Sequence, residues 1–296
     1  MAQAYWLVAH AALWISDKDV ALAREIIDAT GGASETKRSV ELYECNGDLS
    51  CLRYKALCAE LTGDMQRAAQ TFAAAYQLSS NTTDILLATR CAVYAPASDF
   101  RSNIIERYYA VSTDALMQDA IRNMDDMQQG IYERVLVRSR KYPDTPIFRY
   151  QELLALLHKR KYNEALEPAR WLLKDGPRDA SVLALAGRAA FLAQEFALAH
   201  LAFRNLQAEE LDDISLLEMA RSSAFKCQDW NDVVRFGEKL LQLQPHNDEH
   251  YRPVIMAYAM MHRYDAARRR IWEYSQRNIV DATNAYARWI PQSPLE

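Results

Sequence analysis

The chain has 296 residues, half of them apolar and a quarter charged, with only eight glycines. That composition excludes a disordered segment and a small stapled domain, and it suits a solenoid with a large core. A formal charge of −4 argues against a nucleic-acid scaffold, which carries a basic excess.

Taken in order, Ala4–Ile15 reads as a first helix and Lys18–Thr30 as its partner, with Leu7, Ala11, Trp14, Val20, Ala23 and Ile27 facing inward and Gly31 and Gly32 as the stop. The apolar opening is too short to span a membrane and lacks the features of a cleaved leader. A short helix near Glu35–Cys45 completes an N-terminal segment, 1–48. A well-formed helical pair follows over 49–82. The segment 83–111 reads as two helices, Asp84–Tyr94 and Asp99–Val111, parted by Ala95-Pro96-Ala97, with Ser98 or Asp99 as the cap. A change of superhelical pitch is expected there.

From 112 to 281 five units of 34 residues are expected without insertion. Small residues stand in register at Ala165, Ala199, Val233 and Ala267, and aromatics three places earlier at Tyr162, Phe196, Trp230 and Tyr264. Pro143, Pro177 and Pro245 close units where a turn is needed, since proline lacks the N–H and disfavours helix in the residue before it. Pro168 falls inside a helix and predicts a kink. After 281, Asn284–Ile290 reads as a capping helix ahead of the tail Pro291–Glu296, over the segment 282–296. With Trp289 and Ile290 at an open end, it suggests self-association or a truncated terminus.

A fixed period of this length signals a repeat array. With Gly187, Phe191, Phe196, Ala199 and Phe203 in one unit and Gly63, Asp64, Ala68, Phe72 and Ala75 in another, the chain resembles the tetratricopeptide repeat family. Two units depart from the pattern. The unit 214–247 has Arg221 where a small residue is usual and Gly237 where a large one is usual, and 112–145 keeps little beyond Pro143.

The resemblance implies an all-α, right-handed superhelical solenoid of about seven to eight antiparallel helix pairs, with the first helix of each pair lining a concave groove. Carried over by register, the groove residues are Tyr150, Gln151, Leu154 and His158, then Arg188 and Phe191, then Phe225 and Lys226, and finally Arg252 and Met256. Such an amphipathic trough suits a peptide or helical segment of a partner protein. The clamp with which related co-chaperones grip a carboxylate needs Asn beside basic partners, whereas the matching positions hold Leu57, Ala120, Leu154, Arg188, Ser222 and Met256.

Motifs for catalysis or cofactors are absent from the sequence: no glycine-rich phosphate loop, nucleophile elbow or H-E-x-x-H occurs. No enzyme activity and no cofactor is expected. His246 and His250 in PHNDEH read as a solvated turn rather than a metal site, His158 and His200 as packing or groove residues, and Arg268–Arg270 as a wet outer face. The five cysteines, irregularly spaced, read as reduced, partly buried thiols rather than a disulfide framework, with one pair left open, which points to the cytoplasm, and the periplasm stays open if a leader has been removed. The expected function is a protein-binding scaffold or adaptor. The alternatives are a secretion-type chaperone for an amphipathic client and a regulatory sensor domain of a longer protein, such as a transcriptional activator or export-machinery component. No nucleic acid and no membrane insertion are expected.

Overall fold

The computed structural model describes residues 48–96, 98–208 and 211–276. The helices expected before 48 and after 276 lie outside the described residues. Fourteen α-helices and no strands occur among the described residues: α1 Leu49–Leu61, α2 Met65–Ser79, α3 Thr82–Tyr94, α4 Asp99–Val111, α5 Ala115–Gln128, α6 Tyr132–Ser139, α7 Pro146–His158, α8 Tyr162–Asp175, α9 Ala180–Leu192, α10 Phe196–Phe203, α11 Ile214–Lys226, α12 Trp230–Leu243, α13 Tyr251–Met260 and α14 Tyr264–Ser275. No described helix is long and apolar enough to cross a membrane.

The chain divides into two compact units, Met1–Val182 and Leu183–Glu296. In the first, α1 to α4 pack in succession, α5 packs on α3 and α6, and α7 packs on α6 and α8; in the second, α10 to α14 pack each on the next. Neighbour-on-neighbour packing of this kind defines an all-helical solenoid.

The repeat is built around one turn. Arg160, Gln194, Gln228 and His262, spaced by 34 residues, all adopt left-handed backbone with φ of 56°, 62°, 58° and 59°. Each donates its N–H to the carbonyl three residues back, and the following residue donates to the carbonyl five back, as in Gln194 to Phe191 and Glu195 to Ala190. This pair of bonds satisfies carbonyls that the helix end leaves open. Gly63 and Gly130 make the same turn. Two residues later the second helix of the pair begins, so Tyr162, Phe196, Trp230 and Tyr264 are the opening residues of α8, α10, α12 and α14. Ala165, Ala199, Val233 and Ala267, one turn further in, are all fully buried.

The register of five uninterrupted units needs a correction at its start. Gly130 precedes Arg160 by 30 residues, not 34, and α6 is only eight residues long. Four residues is about one helical turn, so the slip leaves the inward face in phase and the hydrophobic pattern hides it. Between α3 and α4 the cap is Ser98, whose hydroxyl accepts from Arg101 N–H. Pro168 lies inside the continuous helix α8 and is buried.

Gly237 is small because α13 packs closely against it. A Cβ on Gly237 would fall 2.3 Å from Val254 Cγ2 and 3.7 Å from Arg221 Cδ. Val254 of α13 thus occupies the space beside Gly237, with the Arg221 stem in ordinary contact, and the inter-helix space stays filled.

Candidate functional site

On an α-helix, positions i, i+4, i+7 and i+8 share one face. In α7 this face is Tyr150, Leu154, Leu157 and His158. Tyr150 and Leu154 are buried, and only His158 is exposed, stacked on Tyr132 with ring centroids 5.0 Å apart. Gln151 is also fully buried, and its amide is spent on structure. Its Oε1 accepts from Asn123 Nδ2 at 2.8 Å, and its Nε2 donates to the Ala120 carbonyl at 3.1 Å. Asn123 in turn donates to Ser139 and accepts from Arg138, whose guanidinium also holds Asp126. Tyr150, Gln151 and Leu154 are therefore interior residues here, and no partner reaches them while the helices stay packed.

The second unit treats the same face differently. On α9 it carries Arg188, exposed, with Phe191 and Leu192 half-buried; on α11, Glu218, Ser222 and Phe225 half-buried with Lys226 exposed; on α13, Arg252 and Met260 exposed with Met256 half-buried. Phe191 and Phe225 each meet the aromatic that opens the following helix edge-on. Phe191 lies 5.7 Å from Phe196 at 73°, and Phe225 lies 5.5 Å from Trp230 at 84°. These pairs lock helix to helix within each repeat while leaving part of each ring at the surface. Lys226 Nζ sits 5.7 Å over the Phe196 ring, joining one repeat to the next.

The turn PHNDEH is not wholly solvated. His246 is exposed, but His250, in a 3₁₀ turn, is fully buried. Its Nδ1 faces Arg221 Nη1 at 3.1 Å, and its Nε2 lies 3.0 Å from Gln244 Oε1. Arginine only donates, so Nδ1 must accept and Nε2–H must donate to Gln244. The ring is neutral, and an arginine at its lone pair excludes a metal. Burial first, and Arg221 second, push the His250 pKa below its ordinary value, against the opposing pull of Glu218 and Glu249. The folded state thus binds fewer protons than the unfolded chain between its lowered pKa and pH about 6.5. The contribution is complete above that pH and is lost as pH falls from it to the lowered pKa of the folded state, with a limiting slope of about 1.4 kcal/mol per pH unit. Thermal melts between pH 7.5 and 5.5 should show a steeper acid loss for the wild type than for His250→Gln; parallel curves would show that His250 is not the linked group.

Among the described cysteines, Cys58 and Cys91 are free and buried, Cys227 is free and exposed, and Cys51 is disulfide-bonded. Cys51 is thus the site of the single pair that the sequence leaves open, and the other three described cysteines are free thiols as expected.

A scan of family models finds none that matches this chain, and a search of curated proteins finds no significant relative. The class of protein therefore rests on the fold: an all-helical chain of stacked helix–turn–helix pairs.

Proposed function

We propose that the chain is a tetratricopeptide-type scaffold, without catalytic activity, that binds an acidic amphipathic segment of a partner protein on the first-helix face of its second unit. The observation that supports this most is the pairing of exposed cations with half-buried apolar side chains, repeated on α9, α11 and α13. Arg188, Lys226 and Arg252 are exposed, and Phe191, Phe225 and Met256 lie beside them, half-buried. One half-exposed acid, Glu218, leaves the face with a net positive charge. Arginine and aromatic side chains are the groups that carry most energy in protein interfaces. A helical or extended ligand takes affinity from the apolar anchors and register from the charges.

The triple variant Arg188→Glu/Lys226→Glu/Arg252→Glu tests the reading. All three side chains are exposed, so folding should be little changed. Affinity capture with both proteins should retain an acidic partner on the wild type and lose it on the variant, with helical circular dichroism unaltered. A partner held equally by both would refute the assignment to this face.

A further inference from the structure

Within the second unit, α10 presents a buried histidine to the start of α12. His200 Nε2 lies 3.2 Å from Asp229 Oδ2, and His200 Nδ1 lies 3.8 Å from Asp232 Oδ2. One ligand-type atom from each of the three residues lies within 4.8 Å of the other two. Each carboxylate has one oxygen already committed. Asp229 Oδ1 caps α12 by accepting from Asp232 N–H, and Asp232 Oδ1 is held by Arg235 Nη2 at 3.0 Å. The remaining oxygens both face the imidazole.

The proton count makes this arrangement incomplete. A carboxylate oxygen only accepts, so Nε2 must carry the proton that points at Asp229. In the neutral ring Nδ1 then holds a lone pair. That atom is buried without a hydrogen-bond partner, in a residue only 9% exposed, and it faces the oxygen of Asp232. Two acceptors confront each other in a shielded place, which costs free energy unless a cation lies between them. A proton does this poorly, because 3.8 Å is beyond hydrogen-bond reach. A metal ion about 2.0–2.2 Å from a nitrogen and an oxygen spans that gap without moving either residue.

We propose that His200 Nδ1 and Asp232 Oδ2 ligate a divalent transition-metal ion of the zinc class, with Asp229 holding the far side of the imidazole and water completing the coordination. Mixed imidazole and carboxylate donors favour zinc-like ions over magnesium or calcium, which take oxygen alone. Asp229 plays the part usual for a carboxylate behind a metal-bound histidine: it accepts Nε2–H, fixes the tautomer and raises the basicity of Nδ1. Burial pushes the Asp232 carboxyl above its ordinary pKa, so its charge is poorly solvated and gains from a cation. Arg235 and the positive end of α12 oppose the ion and keep the affinity modest. The bound ion fastens α10, the second helix of one repeat, to α12, the second helix of the next.

The test uses the full chain, free of any affinity tag and stripped with chelator. Zinc should bind by calorimetry at one equivalent and raise the melting temperature, and cobalt(II) should give visible absorption on binding. Asp229→Asn keeps an N-cap acceptor and should weaken zinc about 10- to 100-fold. Asp232→Asn and His200→Gln should abolish both the cobalt spectrum and the zinc-dependent melting shift; if His200→Gln fails to fold, the half-buried Asp232→Asn decides alone. Absence of zinc binding by the wild type, or binding that survives Asp232→Asn, would overturn the site.

Discussion

Replacing Arg90 by methionine is expected to destabilise the protein by about 3–5 kcal/mol, the cost of leaving a buried charge without its partner. Arg90 on α3 and Glu60 on α1 are paired with 1% and 2% side-chain exposure. Burial pushes the Glu60 carboxyl above its ordinary pKa even though Arg90 stands beside it. Desolvation therefore outweighs attraction at the Glu60 carboxyl, and a buried ion pair often adds little to stability as a pair. The double variant Glu60→Leu/Arg90→Met should accordingly recover most of the loss, because both charges leave together. Urea unfolding of the two single variants and the double variant measures the cycle. A double variant no more stable than the weaker single variant would show that the pair stabilises the fold in its own right.

Ala199→Leu is expected to cost about 1–3 kcal/mol by overpacking the contact between α10 and its neighbours. Ala199 is fully buried, and the same repeat is closed elsewhere by Gly187, whose added Cβ would lie 2.4 Å from Phe203 Cε1. Space for a methyl group is lacking at Gly187, and Ala199 is buried as completely, so three further carbons at position 199 are expected to force the helices apart. The matched control is Ala197→Leu, two residues away on the exposed side of α10, which should change the melting temperature little. Equal melting of Ala199→Leu and wild type would mean that the 34-residue register does not mark the helix crossings.

Much of the architecture is legible in the amino-acid sequence because packing writes itself into residue size. Ala165, Ala199, Val233 and Ala267 are small because helices meet there, and the aromatics that open α8, α10, α12 and α14 are large because each covers its repeat. The turn between paired helices is less legible. Left-handed backbone usually announces itself by glycine, yet Arg160, Gln194, Gln228 and His262 occupy it, and only Gly63 and Gly130 give the signal. The hydrogen bonds of the turn compensate the strain, so side-chain identity is released. The four-residue slip at Gly130 is hidden because one helical turn preserves the buried stripe.

The groove is legible only as a face, not as accessible residues. Register places Tyr150, Leu154, Arg188, Phe225 and Met256 on one line, but exposure depends on what covers each helix. On α7 the line is closed over, and Gln151 beside it is consumed by Asn123 and the Ala120 carbonyl. Buried polar partnerships of this kind join residues about 30 positions apart, across which no local pattern extends. The same holds for His250, whose turn reads as solvated until Arg221 is brought against it, and for His200, whose carboxylate partners lie a full repeat away on α12. Polar clusters between repeats are set by stacking, and stacking has no signature in a single repeat.

Binding on the first-helix face of the second unit is tested most directly by amide hydrogen exchange of the protein with and without its captured partner. Occupation of that face should slow exchange in α9, α11 and α13, over Ala180–Leu192, Ile214–Lys226 and Tyr251–Met260, and leave α10, α12 and α14 nearly unchanged. Protection confined to those three second helices, or to the first unit, would contradict it.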